Sequence, residues 1–120
     1  MTSPVNLRLS EPLATKVREI AAVEHRSIAD TVRSLAEEAI KMREFPGVYF
    51  VEGPTGRRAR LHGGPDVWEV IEPYYVAGGD ESVLRRSYPH VDERVLKTAL
   101  TYYHCYPDEI EERIRRNLGE

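Results

Sequence analysis

The sequence Pro-Val-Asn-Leu-Arg-Leu-Ser, residues 4–10, decides the fold that we predict for this chain. Its apolar residues recur at every second position and alternate with Asn6 and Arg8, a period typical of a β-strand with one apolar and one polar face. The chain offers no second strand candidate before Val48. The same strand of a second copy can supply the missing backbone partner, so the sequence predicts a homodimer.

Two amphipathic helices are predicted directly after this strand. Ser10 is a suitable N-cap for the first helix, and Pro12 is tolerated in its first turn. The apolar pattern breaks at residues 24–26. Ser27, followed three residues later by Asp30, predicts a capping box at the start of a second helix that ends near Arg43.

This order of strand, helix, short turn and capped helix resembles the ribbon-helix-helix family of DNA-binding proteins, many of which are antitoxins or plasmid copy-number regulators. In that family the paired strands of a dimer enter the major groove. The resemblance implies that Asn6 and Arg8 read base edges, since Arg can grip guanine and Asn can pair with adenine. It also implies that Ser27 and the backbone amides of Ile28 and Ala29 bind a DNA phosphate. The alternative is a dimerisation unit in which Asn6 and Arg8 are merely solvated.

Three segments are predicted along the chain: residues 1–45, the ribbon-helix-helix unit; 46–105, a hairpin followed by helices; and 106–120, a C-terminal helix. The hairpin comprises residues 48–51, the turn Gly53-Pro54-Thr55-Gly56, and a returning strand at 57–61. Its arginines, Arg57, Arg58 and Arg60, either contact phosphate or are solvated edge charges.

Three helical pieces follow the hairpin. Pro73 predicts a kink or an early end in the first, and Asp80 and Asp92 are predicted N-caps of the second and third. Together with the hairpin, these pieces resemble the small helix-turn-helix family called domain of unknown function 433. The residues that carry this resemblance are Val67-Trp68-Glu69-Val70-Ile71, Gly78, Val83-Leu84, Tyr88-Pro89, Val95, Ala99-Leu100 and Tyr102.

Members of that family occur in antitoxins paired with PIN-like ribonuclease toxins, so the resemblance implies such a toxin as partner. The segment Leu61-His62-Gly63-Gly64-Pro65 departs from the Gly-Thr-Arg signature of the family, and no role of those residues transfers. A helix that begins Asp92-Glu93 would also bring acids toward DNA phosphates. We therefore favour a structural or dimerising role for the second unit.

The C-terminal helix is predicted to begin at Pro107, with Glu109–Arg113, Glu111–Arg115 and Glu112–Arg116 spaced as ion pairs. Its narrow apolar stripe predicts a loose hold on its own core and availability to a partner. The resemblance implies that arginines of this helix approach the acidic metal-binding pocket of the toxin. The candidate toxin-binding residues are Ile110, Arg113, Ile114 and Arg116. The alternative is a solvated closing helix.

Composition limits the remaining possibilities. The chain has 120 residues, 41% of them hydrophobic, and a formal net charge of −3, which disfavours strong nucleic-acid affinity from one dimer. The acids are concentrated at the far end, where residues 67–120 contain 7 Lys and Arg against 11 Asp and Glu. No apolar run is long enough to span a membrane, and the single cysteine, Cys105, cannot form an internal disulfide, so we expect a cytoplasmic protein.

No catalytic, cofactor or metal-binding constellation is recognisable, because the histidines stand at no ligand spacing. The sequence thus predicts a mainly α-helical fold with an N-terminal ribbon-helix-helix dimer and a hairpin plus helix-turn-helix-like C-terminal domain. The expected function is that of a non-enzymatic antitoxin of a type II toxin–antitoxin system. Its expected partners are double-stranded operator DNA, a second copy or higher oligomer, and a PIN-like toxin. A dimeric protein–protein adaptor without DNA binding is the alternative.

Overall fold

The computed structural model describes residues 3–54 and 56–119 and is mainly helical, as predicted, with one two-stranded sheet. Thr55 of the predicted turn lies outside the described residues. The elements in chain order are α1 (Glu11–Glu24), α2 (Ile28–Glu44), β1 (Val48–Val51), β2 (Arg58–Leu61), α3 (Val67–Val76), α4 (Glu81–Ser87), α5 (Glu93–Cys105) and α6 (Pro107–Asn117).

The strand predicted at residues 4–10 is absent from this single chain, where the segment has no regular secondary structure. The two helices α1 and α2 therefore precede the strands, and the predicted β-α-α order is not found. The physical reason is the lack of a partner, because the two strands of the described chain pair with each other. Alternation of apolar and polar residues cannot make a strand whose backbone groups have nothing to pair with.

Contacts between Cα atoms divide the chain into two units, Met1–Glu37 and Glu38–Glu120, and the boundary lies within α2. In the first unit, the predicted caps of both helices are confirmed. Ser10 Oγ accepts a hydrogen bond from the Leu13 amide at 3.4 Å, and Ser27 Oγ accepts one from the Asp30 amide at 3.0 Å. Between them, His25 adopts the left-handed conformation, with φ 54°, and ends α1.

The hairpin of the second unit is confirmed, with antiparallel pairs from Val48 opposite Leu61 to Val51 opposite Arg58. Its inner face carries Val48, Ala59 and Leu61, all of which are buried. This face lies on α5, which contacts both strands. One face of the sheet is thus fixed by packing, and the arginines of the other face are left at the surface.

Helix α5 supplies the centre of the hydrophobic core. Its buried residues are Leu96, Ala99, Leu100, Tyr102 and Tyr103. They pack in one cluster with residues of α3, α4, α6 and the hairpin, including Val67, Val70, Ile71, Leu84 and Ile110. The predicted caps Asp80 and Asp92 are confirmed, since each accepts a hydrogen bond from the amide two residues later, at 2.9 and 2.7 Å.

The early end predicted at Pro73 is wrong, because α3 continues through it to Val76. Proline has no N–H to donate to the carbonyl four residues earlier, which is that of Glu69. The Tyr88 hydroxyl donates to this carbonyl oxygen instead, at 3.1 Å. A side chain from beyond α4 therefore replaces the helical hydrogen bond that Pro73 removes.

This replacement predicts an energetic coupling between Tyr88 and Pro73. We expect Tyr88→Phe to lower the free energy of unfolding by about 1–2 kcal/mol, because the Glu69 carbonyl loses its donor in a half-buried position. In a Pro73→Ala background the restored backbone N–H serves the same carbonyl, so the cost of Tyr88→Phe should shrink. Urea unfolding of the four variants measures the coupling. Tyr49→Phe is the control, with an expected change below about 0.5 kcal/mol, and an equal cost in both backgrounds would contradict the replacement.

Candidate functional site

The two predicted base-reading residues, Asn6 and Arg8, are exposed on the N-terminal segment, which has no regular secondary structure. The apolar residues that alternate with them are exposed as well: Val5 is 75% and Leu7 67% accessible. Both faces of the segment therefore lie in water in the single chain. The apolar face is a surface that a second chain could cover.

The predicted phosphate-binding residues lie together at the start of α2. Ser27, Ile28 and Ala29 are all exposed. The first amides of an α-helix have no intrahelical acceptor, and the positive end of the helix dipole favours an anion beside them. The local geometry thus suits a phosphate, although Ser27 Oγ already accepts the Asp30 amide.

Asp30 is the acid nearest to this helix start, and its charge is partly balanced. Arg33 Nη1 pairs with the Asp30 carboxylate at 2.5 Å, and Arg26 Nη2 donates to the Asp30 carbonyl at 3.4 Å. The hydrogen bond from Arg33, followed by that from Ser27, lowers the pKa of Asp30 below its usual value. The carboxylate is therefore ionised at neutral pH, and Arg26 and Arg33 must offset it for an anion to bind here.

Helix α6 is the predicted toxin-binding segment. It packs more firmly on the core of the second unit than its narrow apolar stripe predicted. Ile110 is 3% exposed and belongs to the core, and Ile114 packs half-buried against it. Ile110 is therefore not at the surface for a partner to contact. Arg113 is half-buried and Arg116 is exposed, so the two arginines are the more accessible members of the predicted set.

Two buried tyrosines of α5 explain why α6 is held. The Tyr102 hydroxyl donates to Glu109 Oε2 at 2.5 Å, and the Tyr103 hydroxyl donates to Glu111 Oε1 at 2.8 Å. Burial, followed by the hydrogen bond to Glu109, raises the pKa of Tyr102 above its ordinary value. Burial, followed by the hydrogen bonds with Tyr75 and Glu111, raises the pKa of Tyr103. Lys41 Nζ pairs with Glu109 at 2.8 Å, so the end of α2 is tied to the same carboxylate.

Glu109 and Glu111, which the sequence spacing assigned to helical ion pairs, thus accept hydrogen bonds from side chains of another helix. The predicted pair Glu112–Arg116 is confirmed, with Arg116 Nε 3.1 Å from Glu112 Oε1. Arg115 pairs with the same carboxylate at 3.1 Å.

Three arginines line a cleft of about 390 Å³ in the second unit. The cleft lies between the end of the hairpin, the start of α3 and the outer part of α6. Its lining residues are Pro54, Arg58, Asp66, Trp68, Arg113, Arg116 and Asn117. Arg58 of the hairpin and two arginines of α6 thus meet at one concave surface.

Asp66 is the acid at the base of this cluster, and its side chain is almost fully buried. Its Oδ2 pairs with Arg58 Nε at 2.5 Å and accepts from Trp68 Nε1 at 3.2 Å. Its Oδ1 pairs with Arg60 Nη1 at 3.4 Å. Both carboxylate oxygens are therefore engaged by the hairpin and by Trp68, which fixes Arg58 at the edge of the cleft.

The third hairpin arginine, Arg57, is directed elsewhere. Its Nε and Nη2 form a bidentate pair with Glu38 at 2.6 and 2.9 Å, and the hydrogen bonds to Glu38 raise its pKa. Its backbone carbonyl accepts from Arg113 Nη2 at 2.9 Å. The hairpin arginines, which the sequence left open as phosphate contacts, are thus each paired with a carboxylate.

The sequence drew attention to the arginines of this cleft in two separate segments, but it did not predict that they lie together. The hairpin arginines and the arginines of α6 each stood out as positive clusters, but Asp66 and Trp68 did not. The available signal was one acid directly before the predicted helix at residue 67, close in sequence to three arginines. That signal indicates a pairing of the acid with the hairpin but gives no reason to add α6.

The histidines and the cysteine form no additional site in the part of the chain that the structure describes. No group of three or more His, Cys, Asp or Glu side chains there could hold a metal ion. Cys105 is exposed at the end of α5. None of the six helices described within residues 3–54 and 56–119 has both the length and the apolar character that crossing a membrane requires.

Comparison of the chain with models of protein families, with curated proteins and with solved structures gives no significant match.

Proposed function

We propose that this protein is a homodimeric, DNA-binding antitoxin of a type II toxin–antitoxin system, which represses its own promoter and neutralises a PIN-like ribonuclease in the cytoplasm. In this proposal residues 4–10 of two copies pair as an antiparallel ribbon, which completes the ribbon-helix-helix fold. The resemblances noted in the sequence supply the toxin and the operator as partners.

The observation that carries the proposal is the unsatisfied apolar surface of the first unit. Its only buried apolar residues among those described are Val17 and Ala21. Its large exposed apolar residues are Val5, Leu7, Leu13, Val23, Ile28 and Leu35. A segment this short cannot bury enough apolar surface to fold stably alone, and several large apolar residues exposed beside so small a core indicate an interaction surface.

A second copy is the occupant that best fits this surface. Residues 4–10 have an apolar face and unpaired backbone groups at the same place, and an identical segment supplies both the apolar cover and the complementary hydrogen bonds. Pairing also explains the polar residues, because Asn6 and Arg8 of both copies then line one face of the ribbon. Each dimer would present two arginines and two asparagines to the major groove.

The start of α2 supports the same arrangement. Ser27 and the amides of Ile28 and Ala29 are exposed and suited to a phosphate, and phosphate contacts of this kind position a protein on DNA without reading sequence. The sparse positive charge of the unit predicts modest, strongly salt-dependent affinity for one dimer. Binding of several dimers to one operator would increase the affinity.

The second unit is assigned a structural and partner-binding role. Helix α5, the second helix of the helix-turn-helix-like pair, buries five of its residues in the core and begins with Asp92 and Glu93. Its exposed side carries Glu93 beside Arg94 and Lys97, and acids at the start of the helix would repel DNA phosphates. For the toxin, the exposed side of α6 around Arg116 is the proposed contact, with Arg113 and Ile114 at its edge.

The alternative is a dimeric adaptor that binds only proteins. The exposed apolar surface of the first unit favours a dimer in either case, and the net charge of −3 favours the adaptor. DNA binding at low salt distinguishes the two functions.

The dimer is tested by Leu7→Glu. We expect this variant to sediment as a monomer, because a charge on the apolar face of the ribbon would be buried without a partner. Asn6→Ala on the opposite face is the matched control and should remain dimeric. A Leu7→Glu protein that dimerises like the wild type in analytical ultracentrifugation would refute the ribbon.

DNA reading is tested by Arg8→Ala in electrophoretic shifts with the chain's own promoter over a salt series. We expect operator affinity to fall at least tenfold, since each lost bidentate contact costs about 1–3 kcal/mol and the dimer has two. Arg18→Ala, which removes an exposed arginine of α1, should leave the specificity for the operator intact. Undiminished specific binding by Arg8→Ala would remove the groove-reading role, and no binding by the wild type at low salt would favour the adaptor.

The toxin is tested by co-expression with the neighbouring open reading frame and a pull-down. Deletion of α6 is a poor test, because it also removes Ile110 from the core. We expect Arg116→Glu to reduce the recovered toxin about tenfold or more, since an opposed charge in an interface costs several kcal/mol. Arg115→Glu, on the same helix, is the control and should have a smaller effect. Equal recovery with all three proteins would exclude this part of α6 from the interface.

A further inference from the structure

We propose that the rings of Phe50, Tyr102 and Tyr106 and the Glu109 carboxylate form a binding site for an alkylammonium group, which the chain's own Lys41 occupies. These four side chains, the aromatic cage, all belong to the second unit. None of them is among the residues proposed to contact DNA or the toxin. The site therefore goes beyond the proposed function and is independent of it.

The distances from the lysine nitrogen to the rings are those of cation–π contacts. Lys41 Nζ lies 4.3 Å from the centroid of the Tyr106 ring and 5.9 Å from the centroids of Phe50 and Tyr102. A cation within about 6 Å of an aromatic face is attracted by the ring quadrupole, and the attraction grows when water is excluded. Three rings around one nitrogen are the arrangement that proteins use to bind alkylated ammonium groups.

A carboxylate completes the aromatic cage. Glu109 Oε1 accepts from Lys41 Nζ at 2.8 Å, and its Oε2 accepts from a hydroxyl of the cage. Three other charges act on the cage: Glu38 and Arg57, which form a bidentate pair with each other, and Arg113. These charges largely cancel, so the preference for a cation depends on direct contact with Glu109 and with the rings.

We expect the aromatic cage to persist when Lys41 is shortened, because other contacts hold its members. Tyr102 is fully buried, and the buried Phe45 packs edge-on against the rings of Tyr102 and Tyr106, with centroids 5.1 and 6.0 Å apart. Phe45 directly follows α2, so the end of that helix stays attached to the core without the lysine. The Lys41 side chain is only 17% exposed, and its truncation therefore opens a largely enclosed space.

The occupied cage acts as a latch on the end of α2. Lys41 belongs to α2, whereas Phe50 belongs to β1, Tyr102 to α5 and Glu109 to α6. One ammonium group thus joins α2 to three other elements of the second unit.

The wild type provides the first measurement, because the chain has only three lysines, Lys16, Lys41 and Lys97. Lys16 and Lys97 are exposed and serve as internal references. Brief acetylation of the full-length protein with acetic anhydride, read by peptide mass spectrometry, should modify Lys41 about tenfold more slowly than either reference. In NMR spectra, ring currents should shift the Lys41 ε-methylene protons upfield of those of the two references.

The cage itself is tested with Lys41→Ala, which removes the occupant and keeps the rings and Glu109. The full-length variant is titrated with n-butylammonium chloride, the analogue of the missing side chain, and binding is followed by NMR. We expect saturable binding with a Kd on the order of 10 mM. Butan-1-ol, a neutral analogue of similar size, should bind about tenfold more weakly, and sodium chloride at equal ionic strength should cause no saturable change.

Three further variants make the test specific. Lys41→Met leaves a neutral side chain in the cage, and Arg43→Ala removes an exposed cation of the same helix while Lys41 stays in place. Both variants, and the wild type, should bind n-butylammonium at least about tenfold more weakly than Lys41→Ala. Adding Glu109→Gln to Lys41→Ala should raise the Kd about tenfold, because the ammonium loses its charged acceptor.

The proposal is overturned if Lys41 is acetylated as fast as Lys16 and Lys97, or if folded Lys41→Ala does not bind n-butylammonium. It is also overturned if butan-1-ol binds Lys41→Ala as tightly, which would indicate an ordinary apolar cavity, or if Arg43→Ala binds equally well. If Lys41→Ala does not fold, the acetylation rates of the wild type decide. Neither experiment involves DNA or a toxin, so failure of the proposed function remains distinguishable.

Discussion

The buried face of α5 is the constraint on which the second unit depends. Tyr102 lies in the core with 0% exposure, and Tyr103 beside it is nearly as buried. Buried tyrosine hydroxyls need acceptors, and both find them on carboxylates of α6. The need of these two hydroxyls for acceptors therefore fixes α6, although the apolar stripe of that helix is narrow. Because these hydrogen bonds fix α6, its arginines lie beside those of the hairpin. The cleft that the arginines line is therefore a consequence of the hydrogen bonds that the buried tyrosines make.

The first unit presents the opposite situation. Its helices are well defined by caps at Ser10 and Ser27, yet most of its large apolar residues face water. Local signals can form helices, but most helical stability in proteins comes from packing an apolar face. The same unit also contains residues 4–10, a segment without regular secondary structure in the single chain. A second copy would cover the exposed apolar residues and would also pair with the backbone of residues 4–10. These two effects together are the main support for the proposed dimer.

The charges of the chain are distributed in a way that the net value of −3 conceals. Many arginines are paired with carboxylates: Arg57 with Glu38, Arg58 and Arg60 with Asp66, and Arg115 and Arg116 with Glu112. The pairs of Glu112 are exposed and contribute little to stability, whereas the Asp66 carboxylate is almost fully buried and fixes the two hairpin arginines. The proposed reading surface has a single charged side chain, Arg8, before α1. Sequence specificity of such a ribbon would rest on the doubling of Asn6 and Arg8 in a dimer.

The sequence by itself determined the local structure: the helix starts at Ser10, Ser27, Asp80 and Asp92, the hairpin, and the mainly helical class. These features depend on neighbouring residues, whose propensities and side-chain caps can be read directly. It failed where distant residues act on local structure. Pro73 continues a helix because Tyr88 replaces its hydrogen bond, and Glu109 and Glu111 accept from α5 tyrosines instead of only serving helical ion pairs. The strand at residues 4–10 did not form in one chain, because a strand exists only through its partner. Only the tertiary structure brings Arg58, Asp66, Trp68, Arg113 and Arg116 together. Their spacing in the sequence does not show which surfaces meet once the elements pack on one core.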